Sequence, residues 1–129
     1  VLLTLAVKGI GASLINTVLA AVPTAVVHGP SCEQDCLPGI ANIGFPGCSA
    51  DAILMLLDSA GIDCSTGAAC SAGVAQPSHV LLAMGYTESD ARSAVRFSLG
   101  NSSTVADVRA LTAALPAAVE RAKAAAAFT

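Results

Sequence analysis

Charge is scarce in this sequence. Charged residues make up 12% of its 129 residues, about half the roughly 25% of an ordinary domain. Six Lys and Arg stand against nine Asp and Glu, for a net charge of −3, and they form no basic run. Aromatic rings are equally few: three Phe, one Tyr and no Trp. Phosphate neutralisation needs clustered cations, and single-strand binding needs stacking rings. The chain supplies neither, which excludes nucleic acid as a ligand. A chain of 129 residues builds one core and not two. With 54% hydrophobic residues it has too few polar side chains to clothe a free monomer. The composition therefore predicts that one face is buried, against a second subunit or the rest of a larger protein. The first residue is Val rather than Met, so the chain reads as cut at its start.

Long hydrophobic runs are missing too. Residues 1–22 come nearest to a membrane span, but Lys8 sits in the middle with Gly9, Gly11, Ser13, Asn16 and Thr17 around it. A charge near a bilayer centre is costly, and no aromatic belt flanks the run. The charge follows the first apolar stretch instead of preceding it, unlike a signal peptide. A packed helix is the simpler reading. The five cysteines, Cys32, Cys36, Cys48, Cys64 and Cys70, are an odd number, which suits a reduced, cytoplasmic setting better than a disulfide scaffold. No dinucleotide fingerprint, Walker loop, GxSxG, HExxH or carboxylate pair occurs, and Gly9-x-Gly11 stands alone.

What is present alternates between helix and strand signals, without internal repeats. Residues 1–21 are helix-like up to Pro23, with Gly9 and Gly11 weakening the run. Residues 24–28 and 39–45 read as strands, separated by a loop that holds Cys32 and Cys36. Ser49 is placed to cap a helix to Ala60, with Asp51 in its first turn and Gly61 as its stop. Residues 62–65 read as a short strand, and 66–76 as a Gly/Ala/Ser loop. Ser78 caps a short helix to Met84, residues 87–90 open another, and 94–99 alternate as a strand. Thr104 caps a last helix to about Ala126, with Asp107 at its third position. The expected fold is α+β (α/β), a short sheet with helices stacked on one face. The domain division it suggests is an N-terminal helix over 1–22 and a small domain over 23–129, with a mobile loop at 65–76.

Among the candidate chemical residues, Cys70 stands out. It lies in Ser65-Thr66-Gly67-Ala68-Ala69-Cys70-Ser71-Ala72-Gly73, where no bulky neighbour would wall in the thiol. A nucleophilic thiol needs such room for in-line approach; a small hydrophobe in a turn is the alternative. Arg96 lies mid-strand, opposite in face to Val95 and Phe97. It is suited to a bidentate grip on a carboxylate, or else is a solvated edge residue. His79, at a helix start, is either a packed histidine or an acid/base group. Cys32-x3-Cys36, with Cys48 and then Cys64 or His28, does not match the tight pairs of structural zinc. It reads as a loop pair without metal, a redox pair being the alternative. Cys48 and Cys64 flank core segments and read as inert buried thiols.

These runs carry a resemblance. Leu37-Pro38-Gly39, Phe45-Pro46-Gly47, Gly61-Ile62, Ser65-Thr66-Gly67-Ala68-Ala69-Cys70, Pro77-Ser78-His79-Val80-Leu81 and Val95-Arg96-Phe97-Ser98-Leu99-Gly100 occur in order. Over about residues 18–123 the chain resembles the C-terminal part of a cysteine desulfurase of the NifS/IscS-like group, within the class V aminotransferases. The resemblance implies the small domain of a fold-type-I enzyme dependent on pyridoxal 5'-phosphate (PLP). It implies conversion of L-cysteine to L-alanine, with the sulfur held as a persulfide for iron–sulfur cluster assembly. Cys70 matches the persulfide cysteine and Arg96 the substrate-carboxylate arginine. The implied partners are an iron–sulfur scaffold or other acceptor, and a large PLP domain or a homodimer mate.

The departures shape the expectation. In the family a lysine directly after a histidine binds PLP. Here His28 precedes Gly29, His79 precedes Val80, and the lysines are Lys8 and Lys123. PLP is therefore expected on a large domain outside this chain, which alone would be inactive. Ala68 stands where serine is common and Cys36 where a basic residue is common. Two other functions compete: a stand-alone sulfur carrier that accepts persulfide without turnover, and a membrane-associated protein anchored by residues 1–22.

Overall fold

The computed structural model describes residues 2–30, 37–67, 70–71 and 74–128. Helix α1 (Leu2–Ala21) leads into strand β1 (Val26–His28) and strand β2 (Ile40–Gly44). Helix α2 (Ala50–Ser59) follows, then the two-residue strands β3 (Cys70–Ser71) and β4 (Val74–Ala75). Helices α3 (His79–Ala83) and α4 (Glu88–Arg92), strand β5 (Ala94–Ser98) and helix α5 (Val105–Ala126) complete the chain.

The sheet is antiparallel in the order β1-β2-β5. Its register sets Ala41 opposite Phe97 and Ile43 opposite both Val27 and Val95. Side chains alternate across a strand, so Ala41, Ile43, Val95 and Phe97 enter the main core together. Helices meet that face with four-residue spacings: Leu14, Val18 and Val22 from the α1 end, and Leu111, Leu115 and Val119 from α5. Ile53 and Leu57 complete it from α2. Each such side chain, fully buried, contributes on the order of 1.5–3 kcal/mol.

Two glycines allow close approaches. A Cβ on Gly11 of α1 would collide with the Pro38 carbonyl oxygen, and one on Gly44 would lie 2.6 Å from the His28 ring. His28 is held there by Asn42, whose Oδ1 lies 2.8 Å from its Nδ1, and by the Tyr86 ring at 4.4 Å.

The elements follow the sequence expectations, with four differences. Helices do not all share one face, because Ala94 is buried in a separate cluster with Leu81 and Ala91 of α3 and α4. Tyr86 packs against that cluster, and its hydroxyl accepts the Gly29 N–H. The strand expected at 62–65 is a single bridge between Ser65 and Arg96. Residues 66–76 contain the β3–β4 pair, with Cys70 opposite Ala75 and Ser71 opposite Val74. Backbone pairing formed it where no side-chain period announced a strand. Finally, Ser49 occupies the N-cap of α2 without a side-chain capping bond, whereas Ser78, Thr87 and Thr104 all accept one.

Candidate functional site

Strand β5 presents Arg96. Val95 and Phe97 are buried while Arg96 and Ser98 are exposed, so the core residues on either side fix the guanidinium on the outer face. Asn42 of β2 is its cross-strand partner. On the other side of β5 the partner is Ser65. The Arg96 N–H donates to the Ser65 carbonyl at 2.6 Å, and the Ser65 N–H donates to the Arg96 carbonyl at 3.1 Å.

From Ser65 the chain turns toward Cys70. The Ser65 hydroxyl accepts the Gly67 N–H at 3.1 Å. Gly67 has φ +66, a left-handed conformation that suits glycine. The guanidinium reaches this turn: a Cβ on Gly67 would stand 4.0 Å from Arg96 Nη1. Cys70 then opens β3. Ala68, Ala69, Ala72 and Gly73 lie outside the described residues, as do Cys32 and Cys36.

An open cleft of about 540 Å³ adjoins both ends of this segment, lined by Thr66, Gln76 and Pro77 with Cys48, Ser49 and Arg92 among others. Arg92 forms an exposed pair with Glu88 at 2.8 Å, an arrangement of small energetic weight. His79 is exposed at the first position of α3.

The two described thiols, Cys48 and Cys64, are held in the protonated form. Cys48 is buried, and its Sγ lies 3.7 Å from the Val119 carbonyl. Burial raises its pKa, with Lys123 partly opposing. Cys64 is half-buried and pushed up to about 11, first by burial and then by Asp63 and Asp58. Both remain protonated at neutral pH, and the thiolate is the reactive form. The expectation of inert thiols fits Cys48 fully; Cys64 is shielded in part.

Among the described residues no group of three His, Cys, Asp or Glu could hold a metal ion. No helix among them is long and apolar enough to cross a membrane. Among the described side chains none is placed as an aldimine lysine for PLP, the Lys8 side chain lying outside them. Lys123 lies near the end of α5, in the last turn, with its field felt at buried Cys48, and neither histidine precedes a lysine.

Residues 7–111 match the family described as Aminotransferase class-V. The chain belongs to that family. An IscS-like cysteine desulfurase from Mycobacterium tuberculosis is 51% identical over 113 residues, which cover 88% of this chain and 28% of that protein. A cysteine desulfurase from Cereibacter sphaeroides is 41% identical over 107 residues, 83% of this chain and 27% of the relative. This class-V chain thus spans little more than a quarter of these relatives' length. The crystal structure of a NifS-like protein from Rickettsia africae superposes with a TM-score of 0.75 at 26% identity, over 91% of this chain and 29% of that one. A second NifS-like structure shares the fold, with a TM-score of 0.66 at 21% identity, over 98% of this chain and 28% of that one.

Of the residues singled out from sequence, the fold joins Arg96 to the segment that carries Cys70. Ser65 and Gly67 are the link between them, and the sequence reading gave neither a role of its own. The signal was faint: Ser-x-Gly is a hydroxyl-plus-glycine turn pattern inside a run of small residues.

Proposed function

We propose that this chain is the C-terminal part of a cytoplasmic cysteine desulfurase, which converts L-cysteine to L-alanine and keeps the sulfur as a persulfide on Cys70. The observation that carries the reading is the backbone pair between Ser65 and Arg96. It ties a side chain that can grip a carboxylate to the root of a small-residue segment bearing a thiol.

Arg96 would hold the substrate carboxylate by charge-assisted hydrogen bonds. The Cys70 thiolate attacks the substrate sulfur, an S–S bond forms, and the bond from that sulfur to its carbon breaks. The bonding pair leaves with the carbon, which takes up a proton and departs as alanine. PLP is the electron sink for such chemistry, and it has to be held by residues outside this chain. The 65–76 segment would then offer the persulfide to an acceptor such as an iron–sulfur scaffold. His79, exposed and close to that segment in sequence, would serve as an acid/base group or in a structural role alone.

The test is mass spectrometry of the assembled enzyme, this chain together with its PLP-holding portion, after exposure to L-cysteine. A gain of about 32 Da, one sulfur atom as persulfide, is expected on Cys70, and Cys70→Ala should abolish it while PLP stays bound. Sulfur uptake from a persulfide donor, with no alanine released from cysteine by the assembled enzyme, would favour a carrier over a desulfurase. Unchanged persulfide formation in Cys70→Ala would refute the nucleophile.

A further inference from the structure

The outer face of the sheet carries a polar row. Ala41 and Ile43 of β2 enter the core with Val95 and Phe97 of β5, and side chains alternate across a strand. Asn42 and Arg96 therefore share the opposite face, where they are cross-strand partners. His28 of β1 stands opposite Asn42 on its other side, so the row crosses all three strands. Residues directly opposite in this way have Cβ atoms about 4.5–5.5 Å apart, within side-chain contact range.

Exposure rises along the row. His28 is buried, Asn42 half-buried and Arg96 exposed. The His28 end is closed by the Tyr86 ring at 4.4 Å, and Gly44 admits the imidazole where a Cβ would lie 2.6 Å from it. The imidazole in turn fixes the Asn42 amide, with Nδ1 2.8 Å from Oδ1. Oδ1 can only accept, so the ring donates and the acceptor arm of the amide is occupied. The donor arm is left over. Among the described residues Asn42 has no second side-chain partner, and the Arg96 guanidinium has none. No buried side-chain nitrogen or oxygen among them lacks a partner, so Asn42 Nδ2 is open to solvent. The guanidinium reaches toward the Gly67 turn, on the side of β5 away from β2. Two donor groups thus stand on adjacent strands of one open face with no protein acceptor to satisfy them. A carboxylate, which offers two acceptor oxygens, matches that pair.

We infer that Asn42 is a second carboxylate-binding residue, whose amide N–H donates to the L-cysteine carboxylate beside Arg96 while His28 holds the amide in place. The inference rests on the proposed role of Arg96 and adds a contact to the same carboxylate.

The experiment compares Asn42→Ala, Asn42→Asp and Arg96→Ala in the assembled enzyme. It measures the dissociation constant of L-alanine, the carboxylate-bearing product, kcat/KM for L-cysteine, and the unfolding midpoint of each variant. Asn42→Ala removes the donor and should weaken L-alanine binding and lower kcat/KM about tenfold, the scale of one hydrogen bond to a charged group. Asn42→Asp keeps an acceptor for the His28 N–H but sets a negative charge beside the carboxylate. It should unfold closer to the parent midpoint than Asn42→Ala does, yet bind L-alanine more weakly than Asn42→Ala. A purely structural Asn42 gives the reverse order, so Asn42→Asp binding L-alanine better than Asn42→Ala overturns the inference. So does an Asn42→Ala enzyme that binds L-alanine as the parent does. If Arg96→Ala weakens L-alanine while both Asn42 variants bind it normally, this inference alone falls. If Arg96→Ala leaves L-alanine binding unchanged, the proposed seat of the carboxylate falls, and the role of Asn42 with it.

Discussion

Arg96 and Ser65 form one hydrogen-bonded rung on the outer side of β5, and the Arg96 guanidinium extends to the turn that Ser65 begins. An exposed arginine and a glycine turn thus share one scaffold, seated on the buried pair Val95 and Phe97. If Arg96 grips the cysteine carboxylate, Arg96→Ala in the assembled enzyme should cost about 2–4 kcal/mol of transition-state binding. That is a fall of about 30- to 900-fold in kcat/KM. Arg96→Lys keeps the charge but loses the planar fork, and should recover only part. Steady-state kinetics with L-cysteine decide it, and unchanged kcat/KM in Arg96→Ala rejects the role.

Cys64 should make stability fall at alkaline pH. Its thiol is raised from 9.0 to about 11 in the folded protein, so an unfolded thiol ionises first. The contribution is complete below pH 9 and is lost as pH climbs from there toward about 11, because the folded state then binds more protons than the unfolded one. Denaturant midpoints measured across that range should decline less steeply in Cys64→Ala than in the parent protein. At pH 8 Cys64 should also alkylate more slowly than an unstructured thiol. Parallel midpoint curves would remove the effect.

Two glycines one helical turn apart at most should respond in opposite directions. Nothing stands within 4 Å of a Cβ at Gly9, whereas one at Gly11 meets the Pro38 carbonyl. Gly9→Ala should stabilise the fold by about 0.5–1 kcal/mol through helix propensity. Gly11→Ala must push α1 away from the backbone at Pro38, and should destabilise by about 1–3 kcal/mol. Thermal and denaturant unfolding of the two variants measure both, and equal shifts would show that helix propensity alone governs α1.

Helix caps give a second contrast. The Thr104 hydroxyl accepts the Asp107 N–H at 3.3 Å, and the Asp107 carboxylate accepts the Thr104 N–H at 2.7 Å. Thr104→Ala should cost about 1 kcal/mol. Ser49 makes no such bond, so Ser49→Ala should stay within about 0.5 kcal/mol of the parent. Chemical denaturation distinguishes them. A Ser49→Ala loss as large as that of Thr104→Ala would mean the two helix starts are capped alike.

The helices were legible where local chemistry and burial agree. Pro23 marks the end of α1, and Thr104 with Asp107 marks the start of α5. Strand β5 was readable because Val95 and Phe97 alternate with Arg96 and Ser98. The role of Gly11 was not, since a glycine that weakens a helix and one that admits a neighbouring carbonyl look the same in sequence. Ser49 shows the converse: a favourable cap residue takes the cap position without using its hydroxyl. Ser65 escaped notice because its bridge depends on a partner more than thirty residues away, and small residues carry no period. Cys70 and Arg96 were singled out by motif and chemistry, but their connection through Ser65 exists only in three dimensions.

The packing of α1 against α5 has a consequence for synthesis. Val18 and Val119 belong to one core, yet roughly 100 residues separate them, a long-range contact of the kind that slows folding. As the polypeptide emerges from the ribosome, the apolar stripe through Leu14 and Val18 has to wait for the last helix. Until then it is an exposed adhesive surface, and nascent chains paused short of α5 should be preferred clients of chaperones.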